Sequence, residues 1–205
     1  MDNQSARSTT DIIERIKLAT SRLRKVLGEN RVSEKTHMYE ITTFESNTKV
    51  SAIVFPETSQ EVSQCMKIAN EFKVSVYPVS GGKNYGLGST VPNVSNSIIL
   101  DLKLLNKIYD YNEALAHVTL EAGVSFKQLE QFLEDQGGKM IMDSIGSTPQ
   151  ASIIGNTVER GHGMGLYADR LDNVCAMQVV LPNGSIINTG FARYSENKVA
   201  KLSIW

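Results

Sequence analysis

Apolar residues in the first part of the chain recur at helical spacing. Between Thr10 and Leu27 they return every three or four positions, which predicts an amphipathic helix that ends at Gly28. The polar residues 1–9 are expected to be frayed. Residues 29–49 are polar and rich in turn formers, so they predict an irregular connector.

The next segments have the pattern of a β-α-β unit. Residues 51–55 and 74–79 are short apolar runs that predict strands, and a helix lies between them. The spelling of Thr58–Glu61 is that of a capping box, which marks the start of this helix. Residues 97–102 predict a third strand. Strands joined through a helix are expected to be parallel with a right-handed crossover.

The second half changes to antiparallel patterns. Residues 107–111 and 115–121 predict two short strands. Ser125 has capping-box spacing and opens a helix that should end near Gly137. Residues 174–189 have an Asn-Gly pair between two apolar arms, which predicts a hairpin. A small β-α-β lobe over 50–105 is therefore expected to precede a larger antiparallel lobe over 106–205, with the helix and connector of 1–49 in front.

Composition and charge exclude several classes of function. The formal net charge of −1 gives no electrostatic reason to expect nucleic acid or a membrane surface as a partner. Cys65 and Cys175 lie far apart without metal-ligand spacing, so neither a zinc site nor a disulfide framework is expected. No metal site is expected. The amino terminus is polar and no long apolar run occurs, which favours a cytoplasmic protein.

The strand over 74–79 leads into a glycine-rich loop, and this loop is the main candidate for chemistry. Its residues are Ser80, Gly81, Gly82, Lys83, Asn84, Tyr85, Gly86, Leu87, Gly88 and Ser89. Such a backbone can form a nest of N–H groups that binds phosphate oxygens, although a flexible surface turn is the alternative. The spelling fits neither a P-loop nor a dinucleotide fingerprint, because Asn follows the lysine and Pro92 prevents a long helix after the loop.

This loop resembles the FAD pyrophosphate loop of the p-cresol methylhydroxylase and vanillyl-alcohol oxidase family. Four further segments are similar to family motifs in the same order, and they are residues 99–108, 118–126, 154–161 and 172–190. The resemblance implies an α+β FAD-binding domain of two subdomains, the small β-α-β lobe and the larger antiparallel-sheet lobe with flanking helices. FAD is expected to lie extended between them.

The resemblance also implies roles for individual residues. The glycine-rich loop should surround the pyrophosphate, and four residues should approach the flavin ring or its ribityl chain, namely Ser152, Gly155, Asn156 and Thr157. Glu159 stands at an acidic position beside the flavin, where it could tune the ring or accept a proton; the alternative is an ion pair with Arg160 or another cation. Lys83 replaces the histidine that carries covalent FAD in some relatives, so non-covalent FAD is expected.

The activity that the resemblance implies is oxidation of para-substituted phenols by hydride transfer from the benzylic carbon to flavin N5. A non-catalytic or truncated FAD-binding module, or a use of the fold like that of a UDP-sugar reductase, is the alternative. The expected partners besides FAD are a phenolic substrate and either a second copy of the chain, a cytochrome or a cap domain. The apolar end, Ile204-Trp205, suggests that the domain is truncated there and that the substrate cap is missing.

Overall fold

The computed structural model describes residues 3–39, 46–84, 90–143, 145–166 and 168–190, with no description of the side chains of residues 3–10 and Met38. Its α-helices are α1 (Asn3–Leu27), α2 (Ser59–Glu71), α3 (Phe126–Asp135) and α4 (Ile153–Val158). Its strands are β1 (Val32–Ser33), β2 (Val50–Val54), β3 (Val76–Val79), β4 (Ser97–Asp101), β5 (Ile108–Asn112), β6 (His117–Leu120), β7 (Gln178–Val180) and β8 (Ile186–Asn188). Short 3₁₀ turns occur at Glu29–Arg31, His37–Tyr39 and Leu171–Asn173. The α+β class is as predicted.

The described residues divide into two compact units. Unit 1 contains those of Met1–Val79, Gly86–Leu104 and Val180–Ser185, and unit 2 contains those of Ser80–Tyr85, Leu105–Val179 and Ile186–Trp205. The domain boundaries proposed from the sequence stay a prediction.

Unit 1 is built on a four-stranded sheet with the order β1-β2-β4-β3. Both β2 and β3 run parallel to β4, so the parallel strands expected of the β-α-β unit are present. The third strand of the sequence lies between the other two, and all five residues of β4 are buried. A strand buried on both faces reads as a continuous apolar run, which is the pattern of residues 98–100.

Helix α1 differs from its predicted start. It ends at Leu27, before Gly28 with φ of 93°, as expected, but it begins at Asn3 instead of Thr10. The expectation of frayed residues 1–9 is therefore wrong from residue 3 onward. Once a helix is nucleated each further residue adds a hydrogen bond at low cost, so a polar extension follows the amphipathic segment. The buried face of that segment is Ile16, Ala19, Thr20, Leu23 and Leu27.

The described residues of the connector, 29–39 and 46–49, contain more regular structure than the sequence indicates. They contain β1, whose two residues pair antiparallel with β2, and the 3₁₀ turns at Glu29–Arg31 and His37–Tyr39. A two-residue strand has no periodicity of its own, and only its partner strand makes it regular.

Arg31 joins separate backbone segments of unit 1. Its guanidinium donates to both carboxylate oxygens of Glu61 at 2.6 and 2.8 Å, and its Nε donates to the Leu27 carbonyl at 2.6 Å. Its own carbonyl accepts a hydrogen bond from the Phe55 N–H at 3.0 Å. The hydrogen bond from Arg31 is the main cause that lowers the pKa of Glu61. Arg31 therefore ties the end of α1 and the start of α2 to the sheet.

Replacing Arg31 by alanine is expected to lower the free energy of unfolding by about 2 kcal/mol, because Glu61 and the Leu27 carbonyl lose their donor. The two charged side chains are 22% and 21% exposed, which places the pair between a surface pair and a buried one. The pKa of Glu61 is lowered from 4.5, so its contribution is present above that value and is lost as the pH falls through the folded-state pKa.

Urea unfolding at neutral pH and at a series of pH values below 4.5 measures this loss of stability. The difference in the free energy of unfolding between the wild type and Arg31→Ala should become smaller in acid. An equal difference at all pH values would contradict the assignment of this stabilisation to the pair of Arg31 with Glu61. Arg24→Ala is the matched control, because the acidic partners of Arg24 are 82% and 63% exposed and such pairs contribute little.

Unit 2 contains the antiparallel pair β5–β6 and the helices α3 and α4. Ser125 caps α3 with both bonds of the capping box, as predicted. Leu129 and Leu133 of this helix pack with Val124 in a buried cluster, and Phe132 packs against it. The β5 and β6 side chains that contact this cluster are Ile108, Tyr111, Val118 and Leu120.

The hairpin β7–β8 is shorter than the predicted arms, with three residues in each strand. Its turn is the predicted one, since Gly184 has φ of 79° and Asn183 Oδ1 accepts from Ser185 N at 2.9 Å. In the described ranges no helix has both the length and the apolar character needed to cross a membrane. The same residues contain no group of three or more metal-ligating side chains.

Candidate cofactor site

The glycine-rich loop leaves the sheet at Val79, the last residue of β3. Val79 pairs in register with Asp101 of β4, and its carbonyl accepts from Leu102 N at 2.8 Å. The loop is described from Ser80 to Asn84. The remaining predicted pyrophosphate residues lie outside the described part of the chain, and they are Tyr85, Gly86, Leu87, Gly88 and Ser89.

Within unit 2 the loop lies directly against the segment that precedes α4. A Cβ atom added to Gly81 would stand 2.5 Å from the Ser152 backbone nitrogen and 3.2 Å from the Ala151 carbonyl carbon. The Ser147 hydroxyl donates to the Lys83 carbonyl at 2.8 Å. Only glycine permits this approach at Gly81, because the neighbouring atoms belong to the backbone.

A second contact joins the same two segments. A Cβ atom added to Gly155 would stand 2.5 Å from Ser80 Oγ. Ser152 is the N-cap of α4, where its hydroxyl accepts from Gly155 N at 3.0 Å and donates to the Ala122 carbonyl at 2.6 Å. The structure therefore brings Ser80 and Gly81 to Ser152 and Gly155, although some seventy positions separate them in the sequence.

Asn156 carries a hydrogen-bond acceptor without a partner. Its Oδ1 is buried and accepts no bond from the residues that the structure describes. The amide is packed against Gly161, where an added Cβ would stand 2.0 Å from Nδ2. Thr148 Oγ1 is also buried, and it has no hydrogen-bond partner among the described residues. Thr157, by contrast, donates its hydroxyl proton to the Ile153 carbonyl at 2.9 Å.

These residues have the donor and acceptor types that a flavin nucleotide needs. Phosphate oxygens accept bonds from backbone N–H groups such as those of a glycine-rich loop. An isoalloxazine ring presents carbonyl acceptors and one N–H donor, and the unpaired Oδ1 of Asn156 is a suitable acceptor for that donor. The close backbone approach at Gly81 and the unpaired acceptor at Asn156 fit FAD. The assignment of individual residues to parts of FAD stays a prediction.

Glu159 lies at the carboxyl end of α4, where it is exposed. Among the described residues it makes no ion pair, either with Arg160 or with another cation. Arg160 is exposed too and has φ of 54°, in the left-handed region. The carboxylate of Glu159 is thus accessible, and its predicted role beside the flavin is untested.

A buried arginine that no sequence motif predicts contacts the segments around α4. The Arg170 guanidinium lies 4.9 Å from the ring centroid of Phe126 and donates to the Asp143 carbonyl at 3.0 Å. Burial lowers the pKa of Arg170, and the charge of Asp143 opposes this effect. Asp143 Oδ2 accepts from Gly165 N at 2.9 Å. No local pattern signals this arrangement, because its members are far apart in the sequence.

Comparison with known proteins places this geometry in a family. Residues 50–190 match the FAD binding domain family. The chain is 41% identical over 190 residues to 1'-carboxy-chondrochloren decarboxylase from Chondromyces crocatus. The matched region covers 91% of this chain and 35% of that protein. The chain thus spans about a third of the length of that relative.

Two solved structures share the fold. One is p-cresol methylhydroxylase with substrate bound, with a TM-score of 0.84, 28% identity and coverage of 94% of this chain and 38% of that one. The other is 4-ethylphenol oxidase from Gulosibacter chungangensis in complex with isoeugenol, with a TM-score of 0.85, 28% identity and coverage of 92% and 37%. The expected α+β FAD-binding fold is confirmed. The chain belongs to the FAD binding domain family, in the group that includes p-cresol methylhydroxylase, and its cofactor is FAD.

Proposed function

We propose that this chain is the FAD-binding part of an oxidoreductase that acts on para-substituted phenols. The substrate would lose a hydride from its benzylic carbon and a proton from its phenolic oxygen. FAD, when bound, supplies the two-electron acceptor for the hydride. The observation that carries the proposal is the fold similarity at 28% identity to two enzymes whose names refer to p-cresol and 4-ethylphenol.

The described residues would hold the cofactor in two places. Backbone N–H groups of the loop from Ser80 to Asn84 would bind the pyrophosphate. Asn156 Oδ1 would accept a hydrogen bond from the flavin ring, and the N-cap at Ser152 would keep this segment against the loop. Glu159 is the exposed carboxylate on the same short helix, and it is the proposed group to tune the ring or to take the phenolic proton.

Decarboxylation is the second candidate activity. It is favoured by the 41% identity to a decarboxylase, which exceeds the identity to the two phenol enzymes. In that case the bond between the substrate carbon and its carboxylate would break, CO₂ would leave, and the carbon that keeps the electron pair would take up a proton from solvent. A para-substituted phenol that bears a carboxylate distinguishes the two, because only decarboxylation releases CO₂ from it.

Anaerobic mixing of substrates with the FAD-loaded protein, completed by the proposed cap domain, tests both activities. A 4-alkylphenol should bleach the flavin absorbance without release of CO₂, and Glu159→Gln should slow this reduction while FAD stays bound. Release of CO₂ from the carboxylated phenol would favour decarboxylation instead. Bound FAD that no phenol reduces, together with no release of CO₂ from the carboxylated phenol, would overturn both proposals and leave an FAD-binding module.

The remaining partners belong to the same proposal. A cap domain would complete the phenol pocket, and a cytochrome subunit or oxygen would take the electrons from the reduced flavin. Size-exclusion chromatography of the FAD-loaded protein would show whether a second copy of the chain binds. A cytoplasmic location likewise stays a proposal.

A further inference from the structure

Tyr39 lies in the connector before the FAD binding domain, in the 3₁₀ turn His37–Tyr39. It is outside the residues that match the family, which begin at residue 50. Its side chain is half-buried and packs against the core cluster of unit 1. The buried members of this cluster are Val50, Ile53, Val79 and Ile99. Tyr39 therefore packs on a cluster that includes Val79, the last residue before the glycine-rich loop.

The phenol of Tyr39 is bonded to the strand beside the start of this loop. Its hydroxyl donates to the carboxylate of Asp101, which is 2% exposed. The same carboxylate accepts from Lys103 N at 2.9 Å and pairs with Lys103 Nζ at 3.3 Å. Asp101 is the register partner of Val79, the residue before Ser80. Through Asp101 the phenol holds the sheet edge from which the loop departs.

The backbone of Tyr39 is bonded at the other end of the loop. Its carbonyl accepts from the Thr90 hydroxyl at 3.3 Å. Thr90 is the first described residue after Ser89, the last residue of the loop. Burial and the bond to Asp101 raise the pKa of the Tyr39 phenol, so its hydroxyl remains protonated and keeps its role as a donor at neutral pH. Tyr39 is thus bonded to Thr90, which follows the loop, and to Asp101, whose backbone pairs with Val79 before the loop.

We propose that Tyr39 is a positioning residue for FAD binding, because it fixes the two ends of the glycine-rich loop before the cofactor arrives. The inference rests on the proposal that this loop binds the pyrophosphate. A loop whose ends are fixed occupies its binding conformation more often, and the apparent affinity rises with the occupied fraction.

FAD titration of the apoprotein with Tyr39→Phe tests this role. The variant loses a hydrogen bond to a charged acceptor and keeps the ring, so FAD should bind roughly tenfold more weakly. Amide hydrogen exchange of peptides that cover residues 79–91 should become faster in the apoprotein and slow again when FAD is added. A merely structural tyrosine would lower the melting temperature without a change confined to these peptides.

Tyr109→Phe is the matched control. Tyr109 is exposed and donates its hydroxyl to Glu121 at 2.7 Å, so this variant removes a tyrosine–carboxylate bond from the β5–β6 pair and should leave FAD affinity within about twofold of the wild type. Thr90→Val removes only the bond to the Tyr39 carbonyl and tests the second connection independently. It should weaken FAD severalfold.

The outcomes distinguish a failure of the positioning role of Tyr39 from a failure of the assignment of the loop to the pyrophosphate. If the wild type binds FAD but Tyr39→Phe and Thr90→Val both bind it as tightly as Tyr109→Phe does, the positioning role is overturned and the loop assignment stands. If Gly81→Ala leaves FAD affinity unchanged, the loop assignment itself is overturned.

Discussion

Replacing Gly81 by alanine is expected to lower FAD affinity by roughly 10- to 100-fold. The added methyl group would stand 2.5 Å from the Ser152 backbone nitrogen. The atoms in its way belong to the backbone, so the loop and the segment before α4 must separate. That separation disturbs both groups of predicted FAD contacts at once. Isothermal titration of the apoprotein with FAD measures the loss.

Gly146→Ala is the control for this experiment. Gly146 lies in the same segment before α4, it is exposed, and an added Cβ would meet no heavy atom within 4 Å. FAD affinity and melting temperature should therefore stay close to those of the wild type. Equal losses in Gly81→Ala and Gly146→Ala would mean that the contact between Gly81 and Ser152 has no special part in binding.

Replacing Asn156 by leucine is expected to weaken FAD binding about tenfold without destabilising the apoprotein. Leucine has a similar size, and the buried Oδ1 of Asn156 has no donor among the described residues. An unpaired buried acceptor costs free energy, so its removal should leave the melting temperature of the apoprotein equal or higher. With FAD bound, the variant should lose the hydrogen bond that pairs this oxygen in the wild type.

Thermal unfolding with and without FAD measures both effects in one experiment. The stabilisation of the wild type by FAD should exceed that of Asn156→Leu at the same FAD concentration. Ser97→Ala is the comparison variant, because the Ser97 hydroxyl donates to the Val94 carbonyl at 2.6 Å, Ser97 is not among the predicted FAD residues, and the loss of this bond should affect the apoprotein and the complex alike. A lower melting temperature of apo Asn156→Leu would show that the amide has a structural partner.

Local signals in the sequence predict much of this fold. Thr58 and Ser125 are N-caps in the structure, and Gly184 forms the hairpin turn, because each depends on residues within a few positions. The strand β1 and the position of β4 between β2 and β3 depend on pairing between distant segments. Periodicity along the chain carries no information about such pairing.

The candidate site, too, is only partly predictable from local signals in the sequence. Gly81 and Asn156 stand out in recognisable motifs, so the sequence identifies the two segments that carry them. The contact of Gly81 with Ser152, the bond from Ser147 to Lys83 and the burial of Arg170 all join segments that are distant in the chain. Tyr39 has no motif at all, and only the folded chain shows its bonds to Asp101 and Thr90.

The most direct test of the account is a parallel titration of the apoprotein with FAD and with FMN. The glycine-rich loop is assigned to the pyrophosphate, which FMN lacks, so FAD should bind at one per chain and at least about tenfold more tightly than FMN. Acid precipitation should then release the flavin, because the attachment is expected to be non-covalent. A protein that FAD does not reconstitute, or that binds FMN as tightly as FAD, would contradict the account.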